Sequence, residues 1–165
     1  MPAATLARAM SGSVVDDSDD FRRHNLGWLL MCLGNDFFRR SGPEFYRRGY
    51  TGLTKAHSVV LTHLPLGGAR VTDLARTARV TKQAIGPLVT DMERLGYVER
   101  LRDPSDARAK IVRFTEKGLG LVQDAREVVA ETWSQYAEIL GEERLEAVRE
   151  GLDEILARLD QARDD

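Results

Sequence analysis

Ten Lys or Arg residues and six Asp or Glu residues lie between Arg70 and Arg113, so this stretch carries a formal charge of +4. The rest of the 165-residue chain holds fourteen basic and twenty acidic residues and carries −6. The distribution therefore says more than the net charge of −2, because a cationic stretch in an acidic frame is suited to meeting an anion. Within it, Lys82, Arg102, Arg108 and Lys110 can each neutralise a phosphate or carboxylate. Thr72, Thr81 and Thr90 offer hydroxyls, and Gln83 offers an amide that donates and accepts at once. A +4 segment taken alone is ordinary charge scatter. It gains meaning only if the local structure puts these groups on one surface.

The apolar periodicity supplies such elements. Thr72 is placed to cap a short helix with Leu74, Ala75 and Ala78 inward. Arg79 and Val80 then form a turn. Thr81 is placed to cap a second helix, in which Ile85, Leu88, Val89, Met92 and Leu95 make one apolar stripe. Gly96 stops that helix at a left-handed position. The outward face carries Lys82, Gln83, Gly86, Pro87, Thr90 and Arg94. Pro87 removes the hydrogen bond to the Gln83 carbonyl, at a cost of ~3 kcal/mol, which predicts a kink or an irregular first turn. The period then changes to two. Tyr97–Leu101 and Lys110–Phe114 read as strands on either side of the turn Asp103-Pro104-Ser105-Asp106. Thr115 is placed to cap the next helix, whose start Gly118 and Gly120 weaken.

The flanks divide the rest of the chain. Residues 1–18 have no period and are predicted to be a disordered arm. Residues 19–50 form an N-terminal helix with Leu26, Leu29, Leu30, Leu33 and Phe37 on one face. Ser41-Gly42-Pro43 interrupts it, and Glu44 to Arg48 makes a short helical turn with Phe45 or Tyr46 inward. Residues 51–118 hold the compact module, opened by a Thr54-capped helix through Val59, Val60 and Leu64 that Pro65 ends. Residues 119–165 form two long helices. The first sets Val122, Val129, Trp133, Tyr136 and Leu140 along one face. The second repeats Leu145, Val148, Leu152, Ile155, Leu156 and Leu159 in a near-heptad seam.

Several function classes are excluded. The longest apolar run, Leu29 to Leu33, is far below a membrane span, so no membrane partner is expected. One cysteine, Cys32, rules out an intrachain disulfide and points to a reducing, cytoplasmic compartment. There is no glycine-rich phosphate loop after a strand and no nucleophile motif. His24, His57 and His63 lack metal-ligand spacing. No catalytic residue, metal or cofactor is assigned.

A short helix, a turn, a second helix and a basic β-hairpin make a winged helix-turn-helix, a device for reading duplex DNA. The second helix fits the major groove, where Gln83 matches the bidentate edge of adenine and Lys82 reaches guanine or a phosphate. Arg102, Arg108 and Lys110 on the hairpin face the backbone or a narrow minor groove. Residues from about Val71 to Gly118 resemble the MarR family of bacterial regulators. The matching text is Val71-Thr72-Asp73-Leu74-Ala75, Thr81-Lys82-Gln83-Ala84, Met92-Glu93-Arg94-Leu95-Gly96-Tyr97-Val98-Glu99-Arg100, Asp103-Pro104-Ser105-Asp106-Ala107-Arg108-Ala109-Lys110 and Phe114-Thr115-Glu116-Lys117-Gly118.

That resemblance implies a mainly α fold with a small β-wing. It implies a homodimer through the N- and C-terminal helices, binding a pseudo-palindromic site on double-stranded DNA. It also implies an autoregulating repressor released by a small aromatic or phenolic effector. The family's Asp-x-Arg wing element carries over to Asp106 and Arg108, in which the aspartate orients the arginine. Ala107 stands where the family often has a second arginine. An effector pocket would draw on Trp28, Met31, His57 and Trp133. Two other readings differ in class: a winged helix that binds protein, and a regulator whose Cys32 thiol senses oxidants. For Cys32 the plain expectation is a small buried hydrophobe.

Overall fold

A computed structural model describes Phe21 and residues 25–164; the predicted arm, residues 1–18, lies outside the described residues. The chain divides into two compact units, Met1–Arg40 and Ser41–Asp165.

The first unit contributes most of helix α1 (Leu26–Arg47). Asn25 caps it, its Oδ1 accepting the Trp28 N–H at 2.9 Å. Leu26, Trp28, Leu29, Leu30, Met31 and Leu33 are exposed on it. Cys32 is exposed as well, so the expected burial of this thiol does not occur in the single chain. The predicted break at Ser41-Gly42-Pro43 is also corrected: α1 runs through it. A proline removes only one backbone donor. Around it Ser41 is buried, Phe45 packs on the core, and Glu44 holds Arg48 one turn on at 2.8 Å. Phe45 rather than Tyr46 is the inward residue, since Tyr46 is exposed.

In the second unit a 3-10 turn at Lys55–His57 leads into α2 (Ser58–His63). Strand β1 (Ala69–Arg70) precedes α3 (Val71–Thr77), and α4 (Lys82–Arg94) follows. Strands β2 (Val98–Asp103) and β3 (Asp106–Phe114) form the hairpin, and α5 (Glu116–Leu140) and α6 (Glu142–Asp164) end the chain. The antiparallel sheet has the order β1-β3-β2. Ala69 pairs with Val112 and Arg70 with Ile111. The two-residue β1 has no period to be read in sequence, and only its pairing with β3 defines it. Both hairpin strands run further toward the tip than predicted, leaving Pro104-Ser105 as the turn.

One core joins α2, α3, α4, the sheet and the start of α5. It contains Val60, Leu74, Ile85, Val89, Met92, Tyr97, Val112, Phe114 and Leu121. The predicted stripe of α4 is its centre. On α5 the buried face is Leu121, Val128 and Thr132, one residue round from the predicted row, and Val129 is exposed. On α6, Leu145 is buried while Val148, Ile155, Leu156 and Leu159 are about half exposed. No helix among the described residues is long and apolar enough to cross a membrane.

Candidate nucleic-acid interface

Helix α4 begins as its sequence dictates. Thr81 is the N-cap, and its hydroxyl accepts the Ala84 N–H at 3.1 Å. Lys82, Gln83, Pro87 and Thr90 are exposed along one side, while Ile85, Val89 and Met92 are buried on the other. The helix continues through Pro87. Thr72, by contrast, is not a cap. Helix α3 starts at Val71 with Arg70 as its N-cap, so Thr72 lies inside the first turn, exposed.

The C-terminal half of α4 is tied down by polar contacts. Arg100 of β2 donates to Thr90 Oγ1 at 3.0 Å and pairs with Glu93. Thr90 in turn donates its hydroxyl proton to the Gly86 carbonyl at 3.1 Å. That donor is committed within the protein, so Thr90 supports the helix rather than standing free as a reader. From the other side comes His57. The Thr54 N–H donates to its Nδ1 at 2.9 Å, so Nδ1 carries no proton and Nε2 donates to Asp91 at 3.0 Å. Arg94, and secondarily His57, hold the Asp91 carboxyl below the usual carboxylate range.

The wing is anchored at its root. The Asp103 carboxylate accepts from the Ser105 hydroxyl at 2.6 Å, the Ser105 N–H at 2.8 Å and the Arg70 guanidinium at 2.6–2.7 Å. The two Ser105 bonds, then Arg70, lower its pKa to about 2. Asp106 accepts the Arg108 backbone N–H at 3.0 Å and lies 3.7 Å from Arg70. It thus shapes the chain at Arg108 rather than gripping the guanidinium. Successive residues of a strand alternate between faces, so Val98, Arg100 and Arg102 share one face of β2. They pair with Phe114, Val112 and Lys110 of β3. The face that is apolar over the core therefore becomes cationic at the tip, where Arg108 lies two residues from Lys110.

The charges sort accordingly. Six of the ten cations in this segment, Arg70, Arg76, Arg79, Arg94, Arg100 and Arg113, pair with Asp103, Asp73, Asp160, Asp91, Glu93 and Glu99. Among the described residues no carboxylate pairs with Lys82, Arg102, Arg108 or Lys110. These four are the cations that the sequence nominates for DNA. Uncompensated cations at the start of one helix and along one face of a hairpin are suited to meeting an anion.

A sequence model of the MarR family matches residues 51–109. Over these residues the chain is similar to the MarR family. It is 30% identical over 90 residues to the HTH-type transcriptional regulator FarR of Neisseria gonorrhoeae, covering 54% of this chain and 61% of FarR. It is 33% identical over 115 residues to the transcriptional activatory protein BadR of Rhodopseudomonas palustris, covering 66% of this chain and 63% of BadR. The chain thus spans less than two thirds of the curated relatives it matches. Among solved structures it is similar to the repressor CouR bound to a 23-mer DNA duplex, at 26% identity and a TM-score of 0.63 over 82% of this chain and 95% of that one. It is also similar to CouR from Rhodococcus jostii RHA1 bound to p-coumaroyl-CoA, at 28% identity and a TM-score of 0.61 over 80% and 92%.

MarR text quoted from the sequence acquires physical content here. Thr115 donates to the Gly96 carbonyl at 2.6 Å and accepts the Gly118 N–H at 3.1 Å. Lys117 lies over the Tyr97 ring, 4.2 Å from its centroid. Gly118 is obligatory, because a Cβ there would stand 2.0 Å from the Tyr97 carbonyl oxygen. What counted in sequence only as a weak helix start is a close backbone contact. Local spacing does not single out Arg70, Arg100 or Asp103 as site residues. Their role depends on pairings that no local spacing encodes.

The residues nominated for an effector are placed individually. Trp28 and Met31 are exposed on α1. His57 is buried with both ring nitrogens engaged, and Trp133 is half-buried on α5.

Proposed function

We propose that this protein is a sequence-specific, double-stranded-DNA-binding transcriptional regulator. The carrying observation is the coincidence of its four unpaired cations with the start of α4 and the wing. Two elements of different shape then address two grooves at once: α4 the major groove, and Arg108 with its neighbours the backbone or minor groove. Gln83 and Lys82 are the base-reaching side chains, with Thr81, Pro87 and Thr90 shaping the surface beside them.

The regulator acts as a homodimer on a pseudo-palindromic site. The half-exposed apolar seam of α6 and the exposed apolar residues of α1 support this reading, since such faces are ordinarily covered. It is a repressor, of its own promoter among others, released by an aromatic or phenolic effector. The repressor CouR, with structures on DNA and on p-coumaroyl-CoA, supports that mechanism. BadR, named as an activator, sets the opposite outcome for the test. Release is a population shift, in which the effector prefers a spacing of the two reading heads that the DNA does not.

The test is fluorescence anisotropy with a duplex spanning the region upstream of the protein's own gene. Tight binding that weakens steeply with salt is expected, together with scattering from a dimer of the 18.5 kDa chain. Absence of salt-sensitive binding under every condition tried, or a monomer at all concentrations, contradicts the reading.

A further inference from the structure

Gly86 and Pro87 lie in the middle of α4 on the side of Lys82, Gln83 and Thr90, and nothing among the described residues requires either. The φ of Gly86 is not positive, and a Cβ built there meets no atom within 4 Å. Gly118 is the opposite case, where the added carbon runs into a carbonyl 2.0 Å away. Glycine and proline are the two poorest residues for a helix interior. Here they stand side by side, the proline exposed and the helix unbroken. The segment is nevertheless held in place. Arg100 of the wing strand grips Thr90, and Thr90 grips the Gly86 carbonyl. A stretch that weakens the free protein, yet is fixed from the wing, has its reason outside the protein.

We infer that Gly86 and Pro87 form the close-approach point of the recognition helix and select thymine through its 5-methyl group. This inference deepens the DNA-binding reading above and rests on it. The chemistry of the two residues picks the base. Glycine presents a bare Cα and proline a ring of C–H groups, and neither offers a side-chain donor or acceptor. The one apolar group on the major-groove edge of a base pair is the thymine methyl. The missing side chain at position 86 leaves room for that methyl against the helix backbone, and the Pro87 ring forms one wall of the contact. Gln83, one turn earlier on the same side, sits beside it to read an adenine. The Arg100–Thr90 relay sets the depth of the contact relative to the wing.

The test uses a duplex of about 30 base pairs, three helical turns, selected by the wild-type protein from a randomised pool. Each thymine is replaced in turn by deoxyuridine, which deletes the methyl and nothing else. Wild-type affinity is expected to fall about fourfold at one or two thymines in each half-site, the loss expected for one buried carbon. Gly86→Ala places a methyl where the thymine methyl belongs. Its affinity for the thymine duplex is expected to fall about tenfold or more. Deoxyuridine at the same thymines is expected to recover most of that loss, because only one methyl then fills the space. The melting temperature of free Gly86→Ala is expected to rise by about 2–4 °C.

A flat deoxyuridine scan overturns the inference while leaving DNA binding intact. So does a Gly86→Ala protein that binds like wild type, or one whose loss deoxyuridine does not relieve. A wild-type protein that selects no duplex at all overturns the DNA-binding reading, and this inference with it.

Discussion

The wing and the recognition helix treat their polar groups in opposite ways. At the wing tip the cations are left open: Arg102 stands directly opposite Lys110, and Arg108 follows two residues away. Like charges opposed across a ladder cost stability, a cost that an approaching polyanion removes. In the C-terminal half of α4 the polar groups are spent internally, Thr90 and Glu93 on Arg100, and Asp91 on His57 and Arg94. Lys82 and Gln83, at the start of that helix, stand open. The contrast separates affinity from selectivity. On the proposed DNA-binding reading, the wing would supply charge that any duplex satisfies, and the helix a fixed surface that only some base sequences fit.

Arg108→Ala strikes the wing side of this contrast hardest. It should weaken operator binding by 1–3 kcal/mol, or about five- to 150-fold. Anisotropy titrations should show a comparable loss on a random duplex. A loss confined to the operator would mean that the wing reads sequence, and the division of labour would fail.

Arg100→Gln probes the helix side without removing any group proposed to touch DNA. Loosening one shared network should cost the operator complex about tenfold. Random-duplex binding should stay nearly constant, and Arg100→Lys should recover part of the loss. Equal losses on both duplexes would make Arg100 one more phosphate contact.

Asp103→Asn tests the wing root through pH. The Asp103 pKa lies at about 2, below its ordinary value of 3.8. The carboxylate therefore stabilises the folded protein above about pH 3.8, and that contribution is lost as pH falls toward 2. Thermal melts should show wild type above the variant at pH 7 and the gap closed near pH 2. A gap that persists in acid would place the effect elsewhere.

The smallest effect separates two threonines that look alike in sequence. Thr81→Ala removes a helix cap and should cost ~1 kcal/mol, or about 2–4 °C in melting temperature. Thr72→Ala, inside the first turn of α3, should change stability by less than ~0.5 kcal/mol.

What sequence could and could not deliver follows from the range of each interaction. The stripe Ile85, Val89 and Met92, the caps Thr81 and Thr115, and the basic hairpin are local patterns, and each is found where its spacing put it. The break expected at Pro43 is absent, because one lost hydrogen bond is outweighed by the packing of Phe45 and the burial of Ser41. The sequence of α5 offers two adjacent apolar faces, and only contact with the core selects Leu121 and Val128. The site shows the same division. Lys82, Arg102, Arg108 and Lys110 stood out by type and place. Yet the feature that distinguishes them from six paired neighbours is the absence of a partner carboxylate, which only three dimensions reveal. Thr90 illustrates the reverse, a residue that looks available in sequence and is occupied in space.

The central claim is that the open cations of the wing meet phosphate. The most direct test is the salt dependence of operator affinity for wild type and for the triple variant Arg102→Ala, Arg108→Ala and Lys110→Ala. A dimer that loses three charge contacts per protomer should show a slope of log affinity on log salt that is shallower by about five. An unchanged slope would contradict the account, because the wing cations would then not meet the DNA.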